Sequence, residues 1–115
     1  WDVTCPDTLA GSYVNRAVTS PGAVATDAEQ RKCQKYRSIN HTVFSFQPIA
    51  IETHGALGND SYDFVSRLGR KLIAVSHDSR ASMFLFQRLS VAMQRGNAAC
   101  VLGTHTETDI VDFFI

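Results

Sequence analysis

Two short runs, Trp1-Asp2-Val3-Thr4-Cys5-Pro6-Asp7 and Phe46-Gln47-Pro48-Ile49-Ala50-Ile51-Glu52-Thr53, constrain the fold of this chain more than any other feature. Both are rich in β-branched and aromatic residues, which suit a pleated, half-buried surface, and each carries a carboxylate at or near its end. Pro6 has no backbone donor for a ladder, so the first strand is expected over residues 1 to 5. Pro48 lies inside the second strand signal, residues 42 to 53, and makes it an edge strand or a bulged one. Between the two runs lies the densest basic stretch, Arg31-Lys32-Cys33-Gln34-Lys35-Tyr36-Arg37. Carboxylates on strands beside a lysine-bearing helix are the residue types of a magnesium site that cuts phosphodiesters. The hard cation takes oxygen ligands, and a lysine offsets charge on the attacked phosphate.

Residues 8 to 25 hold Gly11, Pro21 and Gly22 among small side chains and read as a long loop, with a helical turn near Leu9 to Val14. Thr26-Asp27-Ala28-Glu29 has the form of a capping box, which predicts a helix from about 27 to 38 with Thr26 as N-cap and Glu29 returning to its amide. Glu29, Lys32 and Tyr36 then share one face. They read either as an exposed Glu-Lys pair worth about 0.3 kcal/mol beside a core-edge tyrosine, or as a lysine and a tyrosine turned toward the strand carboxylates.

Asn59-Asp60-Ser61 supplies N-cap residues for a helix from about 60 to 76, in which Val65, Leu68, Leu72 and Val75 form the expected buried stripe. Asp78-Ser79 is expected to cap a longer helix, about 80 to 102, with a wide apolar face. Gln87-Arg88 and Gln94-Arg95 recur one heptad apart along it, and Gly96-Asn97 is a candidate weak point. Two strand signals and three helices make an α/β or α+β unit. Its sheet reads as incomplete, and the missing strands are most easily placed before Trp1.

The 115 residues suffice for one domain with a modest core, and 44% hydrophobic with 19% charged residues is the balance of a globular chain rather than a disordered one. Eleven basic residues offset eleven acidic ones, so net charge gives no argument for nucleic acid. The distribution is uneven: ten of the basic residues fall between Arg31 and Arg95, while Glu107, Asp109 and Asp112 collect near the end. Cys5, Cys33 and Cys100 form no CxxC pair, which fits a reducing compartment better than a disulfide or zinc framework. His41, His54, His77 and His105 lack metal-ligand spacing, and no apolar run approaches a membrane span.

Four stretches in order, Trp1 through Ala10, Ala28-Glu29-Gln30-Arg31-Lys32 through Lys35-Tyr36, Pro48 through Thr53 with Gly55, and Leu85 through Ala99, resemble the C-terminal region of retroelement reverse transcriptase proteins. That region in turn resembles a truncated restriction-like endonuclease domain of the PD-(D/E)XK superfamily. The resemblance implies that Asp2 is a metal-binding acid, that Thr4 stands where the usual lysine would be, and that Lys32 or Lys35 from the helix replaces it. Tyr36 matches the tyrosine of a Lys-Tyr pair, and Glu52 is a further catalytic candidate. Arg31, Lys35 and Arg37 would contact the phosphate backbone of DNA. The Pro-Asp that should come first is absent from this sequence.

The implied activity is magnesium-dependent nicking of target DNA in the nucleus, in company with the reverse transcriptase domain of the same protein. Residues 1 to 103 would be part of the endonuclease-like domain, expected to be inactive alone, and residues 104 to 115 an acidic and apolar tail. Two other classes remain open: a non-catalytic nucleic-acid-binding domain, and a structural domain that packs on the polymerase through its long helix.

Overall fold

A computed structural model of the chain describes residues 1 to 39 and 41 to 103. These residues form a mixed α/β structure of four helices and two short strands. In order they are β1 (Asp2–Thr4), α1 (Val14–Thr19), α2 (Ala23–Lys35), β2 (Pro48–Ala50), α3 (Asn59–Ser76) and α4 (Ala81–Val101). The expected tail, residues 104 to 115, lies outside the described residues.

The strands pair in parallel, Asp2 with Pro48, Val3 with Ile49 and Thr4 with Ala50. Parallel neighbours need a crossover, and α1 and α2 supply it. The second strand is shorter than residues 42 to 53 suggested. Pro48 starts it, where the missing N–H costs least, and beyond Ala50 the chain turns back so that Glu52 N–H donates to the Ala56 carbonyl at 2.8 Å.

The region read as a loop contains the largest departure from the sequence reading. It holds α1 and the first turn of α2, so the described residues form four helices rather than three. Thr26 is not an N-cap: its hydroxyl donates back to the Gly22 carbonyl at 3.0 Å from inside the helix. Gly22 occupies the cap with φ +85°, and a Cβ there would lie 2.8 Å from the Leu57 carbonyl oxygen. Only glycine satisfies both demands at low cost.

The core is small and lies where α2 crosses the ribbon. Ala25, Ala28 and Ala50 form one buried cluster, and Val24, Ile51 and Val65 are also buried. Small side chains let helix and strands approach closely. The stripe expected on α3 is only partly realised: Val65 is buried, but Leu68, Leu72 and Val75 are exposed. The buried positions are Ser61, Val65 and Gly69, one residue in four. Ser61 packs against Glu29 and Ala50, and α4 crosses close at Gly69, where a Cβ would fall 2.9 Å from that of Ser82.

Helix α4 runs unbroken through Gly96 and Asn97. Asn97 anchors it, donating from Nδ2 to the Thr53 carbonyl at 2.5 Å. Thr53 also accepts the Thr8 N–H on its hydroxyl, so one residue ties the turn after β1, the end of β2 and α4 together. Asp78 accepts the Arg80 N–H at 2.9 Å just ahead of the helix, while Arg80 itself is the N-cap. No helix among the described residues is long and apolar enough to cross a membrane.

Candidate functional site

Asp2 and Lys32 are thirty residues apart and meet at 2.7 Å, Nζ to Oδ2. The meeting follows from topology. α2 returns alongside the parallel strands, so its last turns pass the start of β1, where Asp2 projects. The Lys32 ammonium holds the Asp2 carboxyl below its usual value of 3.8, with Tyr36 and Lys35 acting in the same direction against desolvation. Lys32 is raised in turn by Asp2. Both side chains remain about a quarter exposed, so the pair is accessible from solvent.

Tyr36, the C-cap of α2, completes the cluster. Its ring lies 4.8 Å from that of Phe46, and the Lys35 ammonium sits 5.2 Å from the same ring's centroid. Asp2, Lys32, Lys35 and Tyr36 are therefore brought together, while Arg31 and Arg37 flank them as exposed residues. The expected Glu29 to Lys32 pair does not form: Lys32 turns to Asp2, and Glu29 turns the other way.

Glu52 belongs to neither. It is buried at 4% exposure, and its Oε1 accepts the Val24 and Ala25 N–H groups at 3.0 and 3.2 Å. In the parallel register Asp2 stands beside Pro48 at the start of β2, whereas Glu52 follows the other end of that strand. A carboxylate at a helix N-terminus satisfies donors that the helix cannot, and its charge opposes the dipole. Glu52, a catalytic candidate on sequence, serves here as the cap of α2.

Glu29 does the same for α3. It is 1% exposed and accepts the Asp60 N–H, the Ser61 N–H and the Ser61 hydroxyl. The N-cap of α3 is Gly58, with no side-chain bond of its own, so Asn59-Asp60-Ser61 does not cap the helix as expected. Any side chain at Gly58 would overlap the Glu29 carboxylate.

Arg67 and Arg70 are exposed residues of α3. The structure places both on a cleft of about 560 Å³, shared with Cys33, the neighbour of Lys32, and with Gln47, which precedes β2. Their spacing of three residues was the available signal. Asp60 and Asp63 line the same cleft, so its charge is mixed. Partial desolvation of the otherwise exposed Cys33, with the nearby Asp60 and Glu29 carboxylates, pushes its thiol up, which keeps it protonated at neutral pH.

Magnesium takes about six oxygen ligands. Asp2 offers one carboxylate, with Lys32 on one of its oxygens, and among the described residues no group of three or more His, Cys, Asp or Glu could hold a metal ion. The described residues do not by themselves fit that ion. The chain matches no family model, no curated protein and no solved structure.

Proposed function

We propose that the Asp2, Lys32 and Tyr36 cluster is the phosphate-handling part of a restriction-like endonuclease domain belonging to a retroelement reverse transcriptase protein. The observation that carries this reading is the 2.7 Å contact of Lys32 with Asp2. The resemblance requires a strand acid and a lysine supplied from the following helix, and these two residues meet despite thirty intervening positions.

Lys32 places a positive charge beside the acid, where it can neutralise a phosphoryl oxygen as negative charge develops on it. Tyr36 orients the carboxylate. Lys35 and Arg37 add cationic groups next to the cluster, with Arg67 and Arg70 across the adjoining cleft, so backbone contact would be salt-sensitive and weak in sequence preference. Magnesium dependence in this reading requires a second carboxylate from outside the described residues, and Glu52 does not provide it.

The test is nicking of supercoiled DNA in magnesium buffer by the protein. Loss of nicking in Asp2→Ala and Lys32→Ala, with folding retained, supports the reading. Nicking that survives both substitutions removes it.

A second reading is favoured by the cluster's other property. Asp2 and Lys32 form a closed pair that fastens β1 to α2, and α4 offers no buried residue. These features suit a structural domain that packs on another protein surface. It predicts that Asp2→Asn changes stability alone and that no DNA is bound at low salt.

A further inference from the structure

Cys5 and Met93 are 88 residues apart and meet at 4.0 Å, the Cys5 thiol donating to the Met93 thioether sulfur. Cys5 follows β1 and Met93 lies within α4, so the contact joins the first strand to the last helix. Neither residue has a part in the proposed phosphate chemistry.

The meeting is held by the tie at Thr53. Its hydroxyl donates to the carbonyl of Pro6, the residue after Cys5, at 3.3 Å. Its own carbonyl accepts the side-chain amide of Asn97, one turn beyond Met93 on the same face of α4. Both sulfurs therefore sit beside one anchored residue. Cys5 is exposed and Met93 half-buried, so the pair is reachable from solvent.

The donor set narrows the ligand. Magnesium and calcium take oxygen. Zinc takes thiolate, imidazole or carboxylate, in a tetrahedral set of four. A thiolate beside a neutral thioether suits a soft cation, and copper(I) is the one such donors select. The separation agrees with that choice. With metal–sulfur bonds of about 2.3 Å, sulfurs 4.0 Å apart subtend about 120° at the metal. That is the angle of a three-coordinate site whose third position is left to a further donor.

We propose that Cys5 and Met93 form a binding site for copper(I). The cation replaces the proton of the Cys5 thiol, which leaves to solvent, and gains one thiolate and one thioether bond. No electron is transferred, and copper(I) stays copper(I).

The experiment uses the full 115-residue chain carrying Cys33→Ser and Cys100→Ser, so that Cys5 is its only thiol. It is titrated anaerobically with copper(I) against the chromophoric chelator ferrozine. The expected result is a single copper(I) withdrawn from the chelator by each chain. Met93→Leu keeps the apolar volume but removes the thioether. It should weaken binding by about tenfold or more, since even the partners of a metal ligand are worth that much. Met83→Leu, at the other methionine, should change nothing, and Cys5→Ser should abolish binding. X-ray absorption of the copper-loaded chain reads the site without touching Met93: two sulfurs at about 2.3 Å are expected. No withdrawal of copper(I), binding equally tight in Met93→Leu, or a shell with one sulfur alone would each overturn the proposal.

Discussion

Glu29 on α2 accepts both the backbone N–H and the hydroxyl of Ser61, the third residue of α3, across thirty-two positions of sequence. With the Asp60 N–H it satisfies three donors at once, in a place shielded from solvent. Glu52 closes the start of α2 in the same manner. Asp2 holds the far end of α2 through Lys32. Three carboxylates, none paired within its own element, fix how the two helices lie on the parallel ribbon.

Removing the Glu29 carboxylate strands three donors, the two of Ser61 being buried. Glu29→Ala is expected to cost about 2 to 4 kcal/mol, because unsatisfied partners of a charged acceptor lose more than the bond itself. Ser61→Ala should cost about 1 kcal/mol. Asp27→Ala, which breaks the exposed pair with Arg16, should stay below about 1 kcal/mol. Urea unfolding followed by circular dichroism measures all three.

Glu52→Gln keeps the shape of the side chain and removes its charge. The expected effect is local: faster amide hydrogen exchange at Val24 and Ala25, which it caps, with a loss of about 1 kcal/mol in overall stability. Unchanged exchange at those two amides would show that the cap contributes little.

Gly22→Ala combines a backbone that a side chain resists with a close approach to the Leu57 carbonyl. A loss of about 1 to 3 kcal/mol is expected. Gly11→Ala, with open space around the added methyl group, serves as the control. Thermal unfolding of the two variants side by side gives the comparison.

The Asp2 and Lys32 pair has a definite pH signature. Asp2 is lowered in the folded state, so its contribution is present above the ordinary value of 3.8 and is lost as pH falls through the lowered one. Lys32 is raised, so its contribution is present below 10.5 and is lost as pH rises through the raised value. The stability difference between the native chain and Asp2→Asn should therefore be flat from about pH 5 to 9 and shrink below about pH 4. Urea midpoints across that range check it.

Much of this arrangement was legible in local spacing. The extents of α3 and α4 followed from their apolar periodicity to within a residue or so, and the face shared by Lys32 and Tyr36 was visible at helical intervals. What local spacing could not reveal was where each carboxylate would go. The Thr26-x-x-Glu29 pattern matches a capping box, yet Glu29 caps a different helix because its length and burial carry it to α3. The start of α2 was hidden for the same reason, since its cap comes from Glu52 and no local signal marks it. Glu52 ends a strand-like run as a catalytic acid would, and only the parallel register shows it at the opposite end of the ribbon from Asp2.

Lys32→Ala, assayed for both nicking and stability, tests most directly whether the cluster handles phosphate. If Lys32 stabilises charge on a phosphoryl oxygen, nicking should fall by about 100-fold or more, while the urea midpoint moves only slightly because the pair is partly exposed. Nicking that stays at the native level while stability drops would contradict that role and leave Asp2 and Lys32 as a structural clasp.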